Sequence, residues 1–167
     1  NCGYGSRDLS SNVKKNLQIV KKKISKSARD IFLINQIHSN KFIYIYKKYK
    51  KMIRPEADAI ITNQKKLPIA VLTADCVPIL IYDDKKKMIA AIHAGWKGAF
   101  SNIIGKVIKF MKKKGCNTKN MVASIGPSIS VKNYEVQEDF KKKFLKKNKK
   151  NLKYFINTNN KLYFDLS

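Results

Sequence analysis

Apolar residues recur at helical spacing from Ser10 to Ile24, where Val13, Leu17, Val20 and Ile24 share one face. Asp8, Ser10 and Ser11 stand where an N-cap is wanted, so the pattern predicts a helix over 10–24. Short β-branched runs follow at 31–37, 42–46, 59–62, 69–73, 79–82 and 88–92, each bounded by Pro, Asp, Asn, Gly or Lys, and these read as strands. A second helix is predicted over 101–114, with Ile104, Val107, Ile108 and Met111 on one face and Gly115 as its C-cap. Residues 121–125 read as a further strand ended by Gly126-Pro127. Residues 137–147 form a helix that is amphipathic through Phe140, Phe144 and Leu145, and 152–156 and 161–164 are weaker strands. Strands fill the middle and helices flank them. The expected class is α/β (α+β): a layered α-β-α single domain over 1–167, built around a mixed β-sheet.

Length and composition agree with that picture. A chain of 167 residues with 44% hydrophobic and 10% aromatic residues is one domain with a sizeable core, not a disordered tail. No apolar run reaches membrane-spanning length, because Asp75 interrupts the best stretch, 67–82. The chain opens on Asn1 with no h-region behind it, so it reads as a fragment without a secretory leader.

The net charge of +25 raises the question of a polyanionic partner. Three of the 36 basic residues are arginine (Arg7, Arg29, Arg54) and the rest are lysine, beside 21 Ile and 15 Asn. That bias is the mark of an AT-rich genome. The lysines sit in runs such as 21–23, 85–87 and 112–114, without aromatic platforms between them or the arginine forks that base readers use. Composition therefore weighs against a dedicated nucleic-acid site.

Three cysteines, Cys2, Cys76 and Cys116, with no CxxC pair, exclude a disulfide scaffold or zinc ribbon and point to a reducing cytoplasm. His38 and His93 are the only imidazoles. His38 follows Gln36 at the end of one predicted strand, and His93 ends another. Asp75-Cys76 follows a third, in surroundings so apolar that the carboxylate would need a partner. All three candidates are thus expected at strand exits, where α/β sheets gather ligands. Two imidazoles and a thiolate suit a three-ligand metal site with a fourth position open. The same residues also suit a Cys nucleophile with a His base, or plain packing roles, and the long spacing between them decides nothing. After His93 comes Ala94-Gly95-Trp96-Lys97-Gly98 and then a helix. Its two glycines allow close backbone approach and Lys97 adds a charge for a phosphate, while the alternative is an ordinary turn with Trp96 packed on the core.

Taken in order, NCGYGSRD with Asn12 and Asn16, QIHSNKF, ADAIIT, LTADCVPIL, AAIHAGWKGA, ASIGPSIS and YEVQEDF resemble the polyphenol-oxidase/laccase-domain family of zinc-dependent purine nucleoside phosphorylases. The resemblance runs over nearly the whole chain, and TADCxP followed by HAGWxG is specific. It implies a cytoplasmic enzyme that phosphorolyses adenosine, inosine, guanosine or methylthioadenosine and also deaminates adenosine. It implies zinc on His38, Cys76 and His93, with copper as the other candidate metal. Asp75 then joins these three as a candidate catalytic residue, either carrying a proton or orienting a ligand. Gln36, Gly95, Trp96, Lys97 and Gly98 are the substrate-binding candidates, with Lys97 and the Gly95–Gly98 turn for the phosphate. The family pattern has Gly at Arg7, Arg at Leu17 and Arg at Lys97, and its members continue past LYFDLS into a Cys-Thr pair and a Phe-Ser-x-Arg motif. Multicopper chemistry is excluded, since two histidines cannot populate such a cluster. A Cys-His amide hydrolase of the peptidoglycan-precursor type and a basic nucleic-acid-binding domain are the other readings.

Overall fold

The structure, a computed structural model, describes residues 1–25, 27, 30–47 and 54–167. Helix α1 (Ser10–Ile24) has the predicted bounds, but of its apolar face Val13 is fully buried and Leu17 partly, while Val20 and Ile24 are exposed. Its N-cap position is Leu9, whose side chain cannot cap. Asp8 instead accepts from the Leu9 amide and the Asn12 side chain at the same end.

Five strands form the main sheet: β1 (Phe42–Ile45), β2 (Ala59–Thr62), β3 (Val77–Asp83), β4 (Met88–Ala94) and β5 (Met121–Ile125), in the order β1-β2-β4-β3-β5. β1 and β2 run parallel and the other neighbours are antiparallel, so the sheet is mixed. β2 is buried on both faces and Ile60, Ile61 and Ile92 are wholly enclosed. Each such side chain contributes roughly 1.5–3 kcal/mol of transfer free energy.

A separate short helix that the pattern did not predict, α2 (Trp96–Phe100), precedes the helix predicted over 101–114, which is α3 (Ile103–Lys113). Between them Asn102 takes a left-handed conformation and caps α3 by accepting from the Gly105 amide. Gly115 has the positive φ expected of a C-terminal glycine. Through Ile103, Val107 and Met111, α3 closes one face of the sheet over Ile61, Ile79, Ile81 and Ile92.

The mixed α/β architecture is the one expected, and the difference lies in two segments on the other face of the sheet. Residues 31–37 and 69–73 are not strands. They are extended segments joined by single bridges, Phe32 to Ile69 and Asn35 to Glu56, and they lay Phe32, Ile34, Ile69 and Val71 over Ile45 and Ile60. A run of apolar β-branched residues covers a sheet as readily as it joins one, which is why the pattern alone could not separate the two.

The C-terminal part is a small antiparallel sheet, β6 (Glu135–Val136), β8 (Lys161–Phe164) and β7 (Phe155–Thr158), under α4 (Glu138–Lys147). The expected strand over 152–156 is 3₁₀ helix as far as Tyr154. Phe140 and Phe144 of α4 stack edge-on against Phe155 and Phe164, and Trp96 and Phe100 of α2 insert into the same cluster. This aromatic contact ties the small sheet to the end of β4. No helix among the described residues is long and apolar enough to cross a membrane.

One buried carboxylate fixes the β3–β4 hairpin. Asp83 accepts from the Lys85 and Lys86 amides at 3.0 and 2.7 Å and from the Asn117 amide at 2.9 Å, tying the turn to the loop after α3. The Lys86 bond foremost, with those from Asn117 and Lys85, outweighs burial and holds its pKa below the usual carboxylate value. A depressed folded pKa contributes stability above the unfolded value of about 4, and that contribution fades as pH falls through the folded pKa. Asp83→Asn is therefore expected to lower Tm on the order of 5 °C near neutrality. In urea titrations the gap from wild type should close below about pH 4; a gap independent of pH would contradict this assignment.

Candidate metal centre

Strand register brings the three separated candidates to one end of the sheet. Pro78 lies opposite His93 and Val77 opposite Ala94, so Cys76, one residue before β3, falls beside the end of β4. This is a strand entry, not the exit expected from sequence, because β3 and β4 are antiparallel. His93 lies inside β4, and His38 sits in the loop before β1 with a left-handed backbone, φ 55°. One ligand atom from each of His38, Cys76 and His93 lies within 4.8 Å of the others. The two imidazoles meet edge to face, 4.8 Å between centroids. Among the described residues this is the one His/Cys/Asp/Glu group so disposed.

Burial grades the set: His93 is 3% exposed, Cys76 is half-buried and His38 is open to solvent. Burial first, then the charges of Asp75 and Asp58, pushes the Cys76 thiol pKa up. Without a cation the sulfur is therefore protonated at neutral pH. A soft thiolate beside two imidazoles is a donor set that fits zinc or copper, and a divalent ion would supply the positive charge that the thiolate lacks here.

Gly95 explains how the side chains come so close. A Cβ at this position would lie 2.8 Å from Cys76 Sγ and 3.2 Å from His38 Cδ2. Its backbone φ is an ordinary −72°, so the requirement is for space. A Cβ on Gly98 would sit 3.1 Å from the Ser39 carbonyl oxygen, which keeps the His38 loop against α2. Asn40 reinforces that contact by donating to the Ser101 carbonyl at 2.9 Å.

Asp75 lies beside Cys76 but its side chain is exposed, against the expectation of a buried, partnered carboxylate. Its carbonyl accepts from the Ile129 amide at 2.9 Å, and the Gly126 amide donates to Pro78 at 2.9 Å, so the Gly126–Ile129 turn walls the same end of the sheet. Gln36 binds the Leu72 backbone twice, donating at 2.8 Å and accepting at 2.7 Å, and thereby pins the chain that leads to Cys76. Trp96 packs edge-on against Phe140, with centroids 5.1 Å apart. Lys97 is exposed, its ammonium 5.7 Å from the Trp96 ring centroid.

Two residues at this end escaped the sequence reading. Asp58 is wholly buried and its carboxylate touches both histidine segments: His93 Nδ1 at 2.9 Å, the His38 amide at 3.0 Å, the Ser39 amide at 2.5 Å and the Ser39 hydroxyl at 2.7 Å. Burial raises its pKa, but the bonds from His93 and Ser39, with the His38 amide, together outweigh it and keep the carboxylate ionised. The signal was an aspartate inside the apolar run Ala57-Asp58-Ala59-Ile60. Tyr134 is the other: it is half-buried, and burial, then the charges of Cys76 and Asp75, raises its hydroxyl pKa.

Known proteins resemble this chain in sequence and in fold. The chain is 42% identical over 141 residues to a Rickettsia prowazekii protein named purine nucleoside phosphorylase, covering 83% of this chain and 57% of that one. It is 34% identical over 154 residues to a protein of the same name from Bacteroides thetaiotaomicron, covering 87% and 57%. The chain thus spans under three fifths of the length of these relatives. A Neisseria meningitidis crystal structure superposes with a TM-score of 0.83 at 30% identity, covering 99% of this chain and 66% of that one. YfiH from Bacillus licheniformis shares the fold, TM-score 0.85 at 24% identity over the same shares of the two chains. The family model described as multi-copper polyphenol oxidoreductase laccase matches residues 1–167, and the chain belongs to that family.

Proposed function

We propose that this chain carries the reaction centre of a zinc-dependent cytoplasmic purine nucleoside phosphorylase. It transfers the ribosyl group of adenosine, inosine, guanosine or methylthioadenosine to phosphate, and it also deaminates adenosine. The observation that carries the reading is the convergence of His38, Cys76 and His93 at one end of the main sheet. The name borne by the relatives supports the substrate class. Within this chain the two imidazoles and one thiol suit a single ion and not the cluster that the family's multicopper description implies.

Bound zinc supplies Lewis acidity at this centre. The protein's own part is to place the reactants. In phosphorolysis the bond from ribose C1′ to the purine breaks while phosphate oxygen bonds C1′, and the departing purine takes up a proton. Lys97, exposed in the first turn of α2 after Gly95, is the cation for phosphate. Asp75, exposed next to Cys76, would carry a proton between solvent and substrate or orient a ligand. Gln36 and Trp96 would meet the substrate from positions fixed by their contacts with Leu72 and Phe140. The raised Cys76 pKa counts against a thiol hydrolase, whose nucleophile needs a depressed one.

The test is phosphate-dependent release of free base from adenosine and inosine by the full-length, zinc-loaded protein. Base and ribose 1-phosphate should form, and His93→Ala should lower the rate at least about 100-fold. No release at any phosphate concentration would overturn the reading.

A further inference from the structure

We propose that Asp58 is the positioning residue of this centre: one carboxylate sets the tautomer of His93 and the backbone of His38 together. The side chain is fully enclosed and its own backbone is fixed on both sides, donating to the Lys41 carbonyl at 2.9 Å and accepting from the His93 amide at 2.7 Å. The carboxylate therefore cannot swing away from its partners.

A carboxylate only accepts hydrogen bonds. Its contact with His93 Nδ1, 2.9 Å, forces a neutral imidazole to carry its proton on Nδ1 and leaves Nε2 as a bare lone pair, the form a metal requires. The same Oδ1 takes the His38 amide at 3.0 Å, while Oδ2 takes the Ser39 amide at 2.5 Å and the Ser39 hydroxyl at 2.7 Å. Two successive amides converging on one anion hold His38 in the left-handed backbone, φ 55°, that a non-glycine residue adopts at a cost. An asparagine cannot stand in. Whichever way its amide turns, its NH₂ faces a backbone N–H, and turned toward His93 it would donate to Nδ1 and drive the proton to Nε2.

The inference rests on the metal reading above only for its effect on affinity; the tautomer is readable in metal-free protein. The experiment is long-range ¹H–¹⁵N correlation of the imidazoles in ¹⁵N-labelled, metal-free wild type and Asp58→Asn, with zinc titrations of both. Wild-type His93 should be wholly Nδ1-protonated. The variant should show the Nε2-protonated form or a mixture, and bind zinc about 10–100-fold more weakly. A wild-type His93 protonated on Nε2 would overturn the proposal. So would a variant with wild-type tautomer and affinity. The expected tautomer change in a protein that takes up no zinc would support the role of Asp58 and remove the metal reading. If Asp58→Asn does not fold, the wild-type tautomer decides alone.

Discussion

Replacing Cys76 with alanine is expected to abolish stoichiometric zinc and to cut phosphate-dependent purine release by at least about 100-fold, since a bound metal's contribution is several kcal/mol and each 1.4 kcal/mol is tenfold. Fold should survive, because Cys76 lies outside both buried apolar clusters. The thiol's raised pKa sets the pH dependence of the same measurement. Zinc must displace the thiol proton, so affinity should rise about tenfold per pH unit while the free thiol is protonated. Affinity flat across that range would mean that Cys76 does not ligate. Chelation separates this from thiol catalysis: phosphorolysis should vanish with the metal and return on adding zinc. Activity that outlasts chelation and dies on alkylation of Cys76 would install the hydrolase instead.

The strands that pack against α3 were legible because their periods are set by the core they face: β2 and β4 begin where the pattern places them. The second face of the sheet was not. Its cover, around Phe32 and Ile69, uses the same apolar β-branched vocabulary without a ladder, and only three-dimensional pairing tells the two apart. The site divided in a similar way. His38, Cys76 and His93 were visible as chemistry and by resemblance, but their meeting depends on the antiparallel register of β3 on β4. Of the two aspartates in apolar runs, Asp75 drew notice because it adjoins Cys76, yet Asp58 is the buried one. Periodicity could have separated them. Asp58 precedes a strand buried on both faces, where a carboxylate survives only with every oxygen bonded, whereas Asp75 sits in a bend whose side chain reaches water.

Gly95→Ala is expected to leave the protein folded and take away its metal. The backbone at φ −72°, ψ 169° suits alanine, so the substitution strains no dihedral and shortens the list of unfolded conformations. The added methyl, however, lands 2.8 Å from Cys76 Sγ, inside any real carbon–sulfur contact, and 3.2 Å from His38 Cδ2. The turn cannot retreat, because the Ala99 amide donates to the Gly95 carbonyl at 2.9 Å and β4 holds Ala94 opposite Val77. What yields is the Cys76 side chain, and a rotated Cys76 points its sulfur away from the two imidazoles. A ligand set tolerates displacements of only about 0.5 Å. Zinc affinity should therefore fall on the order of 100-fold while Tm stays within about 3 °C of wild type. Calorimetric zinc titration beside thermal melts of the metal-free proteins reads both quantities. Wild-type affinity in the alanine variant would mean that the sulfur is not held where three ligand atoms converge, and the centre would lose its soft donor. Collapse of stability with affinity would mean that Gly95 serves the fold. The split between an intact fold and a lost metal is what a glycine kept for its neighbours' side chains predicts.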